Sequence, residues 1–303
     1  MLKEKIFSRS PGIITYGITP PKKNLPEEKV IKITEKHLER LQKIDIDGLI
    51  IYDIQEETER TGEIRPFPFL PTLDAYDYCQ NYLNSIDIPK IVYRCVGKYS
   101  KNDFEKWIIS DLNHDRFSVF VGAASSNQNV MLKLNEAYEL INKNSSNLIL
   151  GGVTIPERHL RKNDEHLRII NKMKHGCKFF VSQAVYNLEA SKNLLSDYYY
   201  FCSQNEYQMV PFLFTLTPCG SIKTLEFMKW LGINIPKWLE NELIHSQDIL
   251  DKSIRLLIKQ FQELAEFAKE KRIPIGCNIE SISVRKVEIE ASIQLVEEIK
   301  SFL

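Results

Sequence analysis

Short apolar runs alternate along the whole chain with longer segments in which apolar residues recur every three or four positions. The runs have the length of buried strands, and the recurrence in the longer segments is that of amphipathic helices. The pattern predicts strands at residues 12–18, 48–52, 90–96, 117–122, 147–153, 178–182, 209–216 and 274–280. It predicts helices at residues 27–41, 72–83, 130–141, 164–175, 188–205, 222–231 and 253–270, and one more that begins at Ser100 and contains Trp107.

This repeated alternation of strand and helix is typical of a closed parallel (β/α)8 barrel, the TIM barrel. The chain has 303 residues and no linker-like segment, so one domain is expected over residues 1–303. An open doubly wound sheet has the same alternation, but it usually carries a G-x-G-x-x-G loop after its first strand. Here the first strand leads into Thr19-Pro20-Pro21 instead, which favours the barrel.

The stretch from residue 148 to residue 187 gathers polar side chains at the ends of two predicted strands. The first of these strands stops at Thr154, and a segment with Glu157, Arg158 and His159 follows it as a predicted loop. The next strand ends at Gln183, among apolar residues. Since functional groups of such barrels lie where strands end and loops begin, this rim is a predicted active site. A salt-bridged loop is the alternative interpretation of the charged segment.

Other predicted strand ends add further candidates. An arginine inside an apolar strand must reach water, a carboxylate or an anionic ligand, and small residues after a strand can expose amides and hydroxyls to a phosphate. A solvated acidic loop or a simple tight turn would leave some of these residues without a role. The candidates are Asp53 and Glu56 after the second strand, Arg94 in the third, Ser125 and Ser126 after the fourth, and Glu280 closing the eighth.

Together these motifs resemble the methylenetetrahydrofolate reductase family. That family has a similar Pro-Glu-x-His-like segment, a helix ending in Ala-Gly-Cys or Ala-Gly-Ala, and a strand ending in Ser-Gln or Thr-Gln. The order of the matches along the chain carries the resemblance. They are Pro20-Pro21, the run at residues 57–61, Pro156 to His159, Ser182-Gln183, Val210-Pro211, Thr217-Pro218 and the run Ile233-Asn234-Ile235-Pro236-Lys237-Trp238.

The resemblance implies a barrel that uses FAD to pass hydride from NADH or NADPH to 5,10-methylenetetrahydrofolate. It implies that Gln183 contacts the folate, with Tyr186 and Glu280 as further substrate-binding candidates. Lys172 corresponds to a basic residue at the flavin phosphates, although a solvated helix lysine is an equal alternative. Arg94, Ser125, Ser126 and His159 complete the set of cofactor-binding candidates.

Two carboxylates of the family pattern are absent from this chain. The acid of the first strand corresponds to Gly17, and the aspartate that ends the fourth strand corresponds to Ala123. Either other acids have taken over, or the protein performs another reaction on a related ligand. Glu157, Glu56 and Asp53 are the predicted catalytic replacements, and Glu280 is a further acid at the same rim.

Two other functions therefore stay open. One is a folate-dependent one-carbon transferase that works without flavin. The other is a folate- or flavin-binding partner that has lost catalysis. A homo-oligomer or a partner subunit is compatible with each of them.

Composition narrows the range of partners and compartments. The chain has 40 basic and 40 acidic residues, so no net field favours nucleic acid or an anionic membrane. No C-x-x-C pair or H-E-x-x-H motif occurs, and no metal site is predicted. The N-terminus lacks a signal-peptide core and no run reaches the ~18 apolar residues of a membrane span. A cytoplasmic protein with reduced cysteines is expected.

Overall fold

Eight parallel strands pair side by side in sequence order, and the last closes on the first to form a barrel. The structure is a computed structural model that describes residues 1–55, 65–110, 116–123, 129–144 and 147–303. It confirms the predicted (β/α)8 barrel and all of its strands. They are β1 Ile14–Ile18, β2 Gly48–Ile51, β3 Lys90–Cys95, β4 Arg116–Val121, β5 Leu148–Thr154, β6 Phe179–Ala184, β7 Phe212–Leu216 and β8 Ile275–Glu280.

Helices surround the barrel on the outside. In the described residues they are α1 Leu2–Phe7, α2 Glu27–Leu41, α3 Ala75–Tyr82, α4 Lys101–Ile109, α5 Leu134–Lys143, α6 Pro156–Lys162, α7 Glu165–Lys174, α8 Leu188–Gln204, α9 Ile222–Trp230, α10 Lys237–Ile244, α11 Ile249–Glu270 and α12 Lys286–Lys300. The hydroxyl of Ser100 accepts from the Asp103 amide at 3.2 Å, as expected for the N-cap of α4.

The segment after β5 is a helix, and the prediction of a loop there was wrong. Pro156 occupies the first turn of α6, where its missing N–H would have no partner in any case and its ring already fixes a helical φ. Glu157 and His159 are therefore helical residues. Helices α1, α10 and α12 were also not predicted.

The barrel interior is packed with apolar side chains and is closed at its N-terminal end. Ile50, Ile91 and Phe179 belong to this interior cluster, and Leu2 and Ile6 of α1 join it from below. Because α1 covers the bottom, the described structure leaves the end where the strands finish as the open face of the barrel. That end is also where barrels of this type carry their sites.

The described residues contain no helix with the length and apolar character that a bilayer crossing requires. The six cysteines all lie within the described ranges, where each is buried and none forms a disulfide.

Gly276 allows the first and last strands to approach each other. A Cβ atom at this position would lie 2.1 Å from the backbone oxygen of Ile13, far inside van der Waals contact. The amide of Cys277 donates to that same oxygen at 2.9 Å. Closure of the barrel therefore depends on a missing side chain at position 276.

We expect Gly276→Ala to lower the free energy of unfolding by about 2 kcal/mol or more, since backbone must shift to admit the methyl group. Urea denaturation monitored by circular dichroism measures the loss. Gly122→Ala is the matched control, because a Cβ there would meet Leu134 at an ordinary 3.6 Å. Equal stabilities of the two variants would contradict this account of closure.

Candidate functional site

A deep cavity of about 1720 Å³ opens at the C-terminal end of the barrel. Its volume exceeds the roughly 300–1,000 Å³ that a pocket for one small molecule usually has. Tyr52 and Tyr93 belong to its wall and pack edge to face, with ring centroids 4.8 Å apart. Residues that follow nearly every strand reach the cavity, so it has the position and size of a substrate site.

Glu280 lies in this cavity at the end of β8 and is held by a chain of hydrogen bonds. Thr15 donates to the Asn278 side-chain oxygen at 3.1 Å, and the Asn278 amide donates to the Tyr52 hydroxyl at 2.8 Å. The Tyr52 hydroxyl in turn donates to the carboxyl group of Glu280. Asn278 and Glu280 are two residues apart on one strand and share its inward face. The chain of donors fixes the carboxyl group at the cavity wall.

Burial raises the pKa of Glu280 from 4.5 to about 7, and the hydrogen bond from Tyr52 opposes part of that rise. No cation is needed to explain the shift, because loss of solvation disfavours the charged form. A carboxyl group with such a pKa can both hold and release a proton near neutral pH, which is the property required of a general acid.

Gly17 lies opposite Glu280 in the β1–β8 pairing and makes room for Tyr52. A Cβ atom at Gly17 would lie 2.7 Å from the Tyr52 ring. A side chain at position 17 is therefore incompatible with the tyrosine that supports Glu280. Gly17 of β1 and Glu280 of β8 therefore both belong to the arrangement around Tyr52.

Gln183 offers the cavity an unpaired acceptor. Its amide nitrogen donates to the backbone oxygen of Leu231 at 2.9 Å, while its buried side-chain oxygen has no hydrogen-bond partner in the described residues. The β6–β7 register shifts between Val181 and Ala184, around Gln183. A buried acceptor without a partner is costly, so this oxygen is suited to an N–H group of a ligand.

Three cations line the cavity beside β5 and β6. Arg158 and Arg168 both pair with Glu165, a fully buried carboxylate, at 3.2 and 3.4 Å. Lys172 passes close to Gly152 and donates to the backbone oxygen of Val153. Burial lowers the pKa of Lys172, and Glu165 opposes that fall. One carboxylate thus positions two arginines and stabilises a nearby lysine.

The rest of the cavity rim is also basic. The described lining contains eleven lysines and arginines against four acidic residues, although the whole chain is neutral. The remaining lining cations are Lys22, Lys36, Arg40, Lys43, Arg65, Lys223, Arg285 and Lys286. Positive charge is therefore concentrated in the cavity lining, where it favours an anionic ligand.

An aromatic wall lines part of the cavity. Phe227 and Trp230 of α9 stack with centroids 6.1 Å apart, and Phe67 packs against Phe227 at 5.4 Å. All three line the cavity. Aromatic rings next to an amide suit a planar heterocycle with polar edges.

Two predicted site residues, Asp53 and Tyr186, are held by protein contacts, and of these only Asp53 also lines the described cavity. The carboxylate of Asp53 is 1% exposed and accepts from the Cys95 amide at 2.8 Å, from Lys98 and from the Tyr99 hydroxyl at 3.0 Å. Tyr186 is fully buried outside the cavity lining and donates to the Thr217 oxygen at 2.7 Å.

Arg94 points away from the barrel interior, so the expectation that it faces the site was wrong. Its neighbours Tyr93 and Cys95 line the cavity, and alternation along β3 turns Arg94 to the opposite face. There it donates to both oxygens of Asp74, at 2.8 and 3.0 Å, and stacks on Tyr99 and Trp107.

Glu157 and His159 do not line the described cavity, because the helix α6 turns them toward α7 and α8. Burial raises the pKa of Glu157 to about 7, and neither of its carboxylate oxygens has a hydrogen-bond partner in the described residues. His159 Nε2 lies 3.0 Å from an oxygen of Asp197 on α8.

Glu56, Ser125 and Ser126 lie outside the described residues, as does the run at residues 57–61, and their roles stay predictions. Ala123 lines the cavity, so the position of the family's second carboxylate does face it.

Several residues that line or support the site were missed by sequence reasoning. Tyr52 ends the second predicted strand, and Asn278 is a polar residue inside an apolar strand at the same inward phase as Glu280. The strand end was the available signal for Tyr52, and the two-residue spacing from Glu280 was the available signal for Asn278. Arg168 and Trp230 gave no comparable signal, because arginine and tryptophan residues of helices also occur on outer surfaces.

We expect replacement of Glu280 to change how stability depends on pH. The folded-state pKa of about 7 lies above the ordinary 4.5, so the folded protein keeps a proton that the unfolded chain has lost. Stability contributed by this group therefore falls as pH rises from about 4.5 to 7. Since Gln cannot ionise, Glu280→Gln should gain about 1 to 3 kcal/mol relative to wild type between pH 5 and pH 8.

Urea denaturation at both pH values provides the measurement. Glu226→Gln is the control, because the Glu226 side chain is exposed at the surface. A pH-independent difference between Glu280→Gln and wild type would show that Glu280 is already ionised at pH 5.

Known proteins are similar to this chain to very different degrees. Neither a protein-family model nor a curated protein matches the chain. An archaeal fructose 1,6-bisphosphate aldolase (10% identity, 99% and 100% coverage, TM-score 0.49) and a Xanthomonas albilineans dihydropteroate synthase (8%, 97% and 94%, TM-score 0.45) are too distant to support any inference.

A solved structure from Clostridium thermocellum is far more similar. It is described as an uncharacterized protein that binds two copies of 5-methyl-5,6,7,8-tetrahydrofolic acid. The identity is 57%, the alignment covers 100% of both chains, and the TM-score is 0.91. The chain therefore belongs to the same protein family as this Clostridium thermocellum protein.

Proposed function

We propose that this protein binds a reduced folate in the barrel cavity and acts on its one-carbon unit, as a reductase similar to methylenetetrahydrofolate reductase. The observation that carries the proposal is the 57% identical relative, which is described as binding 5-methyltetrahydrofolate. The cavity offers the chemistry that such a ligand needs at three places.

The first place is the pterin subsite. A reduced pterin has a flat edge of N–H donors and a carbonyl acceptor. The unpaired oxygen of Gln183 would accept from that edge, and the Glu280 carboxyl group would face it from β8. The resemblance to the reductase family assigns the folate contact to the same glutamine. The geometry of the cavity and the resemblance to the reductase family thus independently support Gln183 as a folate contact.

The second place is the mouth, where the glutamate end of a folate carries carboxylates. The excess of basic over acidic residues in the lining supports an anionic group at that position. The aromatic wall of Phe227 and Trp230 also lines the cavity and would pack against the aryl ring that joins the two ends of a folate.

The third place is the position of the proton donor. Opening of the five-membered ring of methylenetetrahydrofolate requires protonation of a ring nitrogen, and a carboxyl group with a raised pKa is the efficient donor. Glu280 is such a group in the cavity, whereas Glu157 is outside its described lining. The family acid would then have moved from β1 to the neighbouring strand, since Gly17 and Glu280 are partners in the register.

FAD fits the charge and size of the site. Arg158, Arg168 and Lys172 would hold its phosphates, and the cavity volume leaves space for a folate beside it. A bound flavin would supply hydride taken from NADH or NADPH. The protein's own residues would orient the folate, exclude water and hold the proton at Glu280.

A second candidate is a flavin-independent folate protein, either a one-carbon transferase or a binding partner. Two copies of methyltetrahydrofolate in the relative favour it, because a second folate would take the space that a flavin needs. The volume of about 1720 Å³ is compatible with two small ligands.

Removal of the Gln183 amide should weaken folate binding. We expect Gln183→Ala to cost about 1 to 3 kcal/mol of binding free energy for 5-methyltetrahydrofolate, because an edge of the pterin loses its partner. Isothermal titration calorimetry measures both affinity and stoichiometry. Gln260→Ala is a matched control, since Gln260 also has a buried unpaired oxygen and donates to a backbone oxygen at 3.0 Å but lies outside the cavity.

Unchanged affinity in Gln183→Ala would remove this residue from the pterin subsite. Absence of folate binding by the wild-type protein would overturn both candidate functions.

Flavin loading and turnover separate the two candidates. The reductase proposal expects protein reconstituted with FAD to retain a yellow flavin and to oxidise NADH or NADPH when methylenetetrahydrofolate is present. Glu280→Gln should then lower turnover about 100-fold or more, with folate affinity little changed, because only proton transfer is lost. Glu226→Gln is the control.

Wild-type protein that binds folate but neither retains flavin nor turns over would overturn the reductase proposal and leave the flavin-independent candidate. Full turnover in Glu280→Gln would show instead that the proton comes from another group.

A further inference from the structure

Three potential metal ligands converge where α6, α7 and α8 pack together, outside the barrel cavity. They are His159, His166 and Asp197, one from each helix, and each places one ligand atom within 4.8 Å of the other two. None of the three lines the cavity described above. The cluster is therefore separate from the proposed folate site.

The two histidines and the aspartate are already partly arranged. His159 Nε2 lies 3.0 Å from an Asp197 oxygen, and the two imidazole rings stand nearly perpendicular, at 85°, with centroids 5.3 Å apart. His159 is 1% exposed, whereas the Asp197 side chain is 51% exposed. One ligand is thus fixed in the protein and another can move from the solvent side.

Hydrogen bonding alone does not explain this arrangement. The Nδ1 atoms of both His159 and His166 are buried without a partner in the described residues. The bond between His159 and Asp197 uses only one imidazole nitrogen and leaves His166 beside the pair. Buried polar atoms without partners are uncommon and costly, which makes such a cluster a candidate for an ion.

We propose that His159, His166 and Asp197 bind a divalent transition-metal ion, with Zn²⁺ as the best match. Two imidazoles and one carboxylate are donors that Zn²⁺ accepts in tetrahedral sites, with water in the fourth position. Metal-to-ligand distances of about 2.0 to 2.2 Å place ligand atoms closer together than 4.8 Å. Rotation of the exposed Asp197 and of the partly exposed His166 closes that difference.

An ion at this position would join three helices that follow β5 and β6. His159 is the neighbour of Arg158, which lines the cavity from the same helix. The ion would therefore brace the helix that carries one of the cavity cations. The proposal does not depend on the identity of the cavity ligand.

Chelator-treated protein titrated with ZnCl₂ tests the site. We expect one Zn²⁺ per chain by elemental analysis, a Kd in the micromolar range or tighter by competition with a chromogenic chelator, and a higher melting temperature with the metal. Asp197→Asn and His166→Ala should weaken binding by about 10-fold or more. Both positions are partly exposed, so these variants retain the fold, which the melting temperature of the metal-free protein verifies.

His245→Ala is the control, since this histidine is exposed at the end of α10 and should bind Zn²⁺ as wild type does. Replacement of Zn²⁺ by Co²⁺ gives a second readout, because a tetrahedral site with nitrogen ligands produces visible absorption bands that the two ligand variants should lose. Wild-type binding weaker than micromolar, or equal binding by wild type, Asp197→Asn and His166→Ala, would overturn the proposal.

Discussion

Pairing of β1 with β8 is the constraint on which both the barrel and its cavity depend. The approach of Gly276 to the Ile13 backbone closes the barrel. The same pairing sets Thr15 beside Asn278 and Gly17 beside Glu280, so closure also assembles the hydrogen bonds that lead to the carboxyl group. A shift of one residue in this register would turn Asn278 and Glu280 away from the barrel interior. Stability and the candidate chemistry therefore rest on one strand pair.

Much of the fold could be predicted because alternation of apolar runs and amphipathic segments depends on local sequence. The strand ends were equally accessible, which is why Gln183 and Glu280 could be selected before the structure was known. Arg94 shows the limit of this reasoning. Whether a strand residue faces the barrel interior depends on its phase relative to neighbouring strands, and a single polar residue in an apolar strand does not reveal that phase.

Helix-borne residues were harder to predict for a different reason. Lys172 lies close to Gly152, where a Cβ atom would be 3.2 Å from the lysine side chain, and this fit is a property of packing between two elements. The convergence of His159, His166 and Asp197 likewise depends on how three helices lie together. Neither spacing in the sequence nor composition contains this information. The loop predicted at Pro156 failed for a simpler reason, since proline both begins and interrupts helices.

The closed lower end of the barrel has a kinetic consequence. Because α1 covers the bottom, the upper mouth is the one way in or out that the described residues leave to a molecule at the base beside Tyr52 and Glu280. When a second molecule occupies the mouth, the inner one must wait for it to leave. Dissociation from a cavity that is closed at its lower end is sequential. The residence time of the inner molecule then depends on the molecule at the mouth as well as on its own contacts.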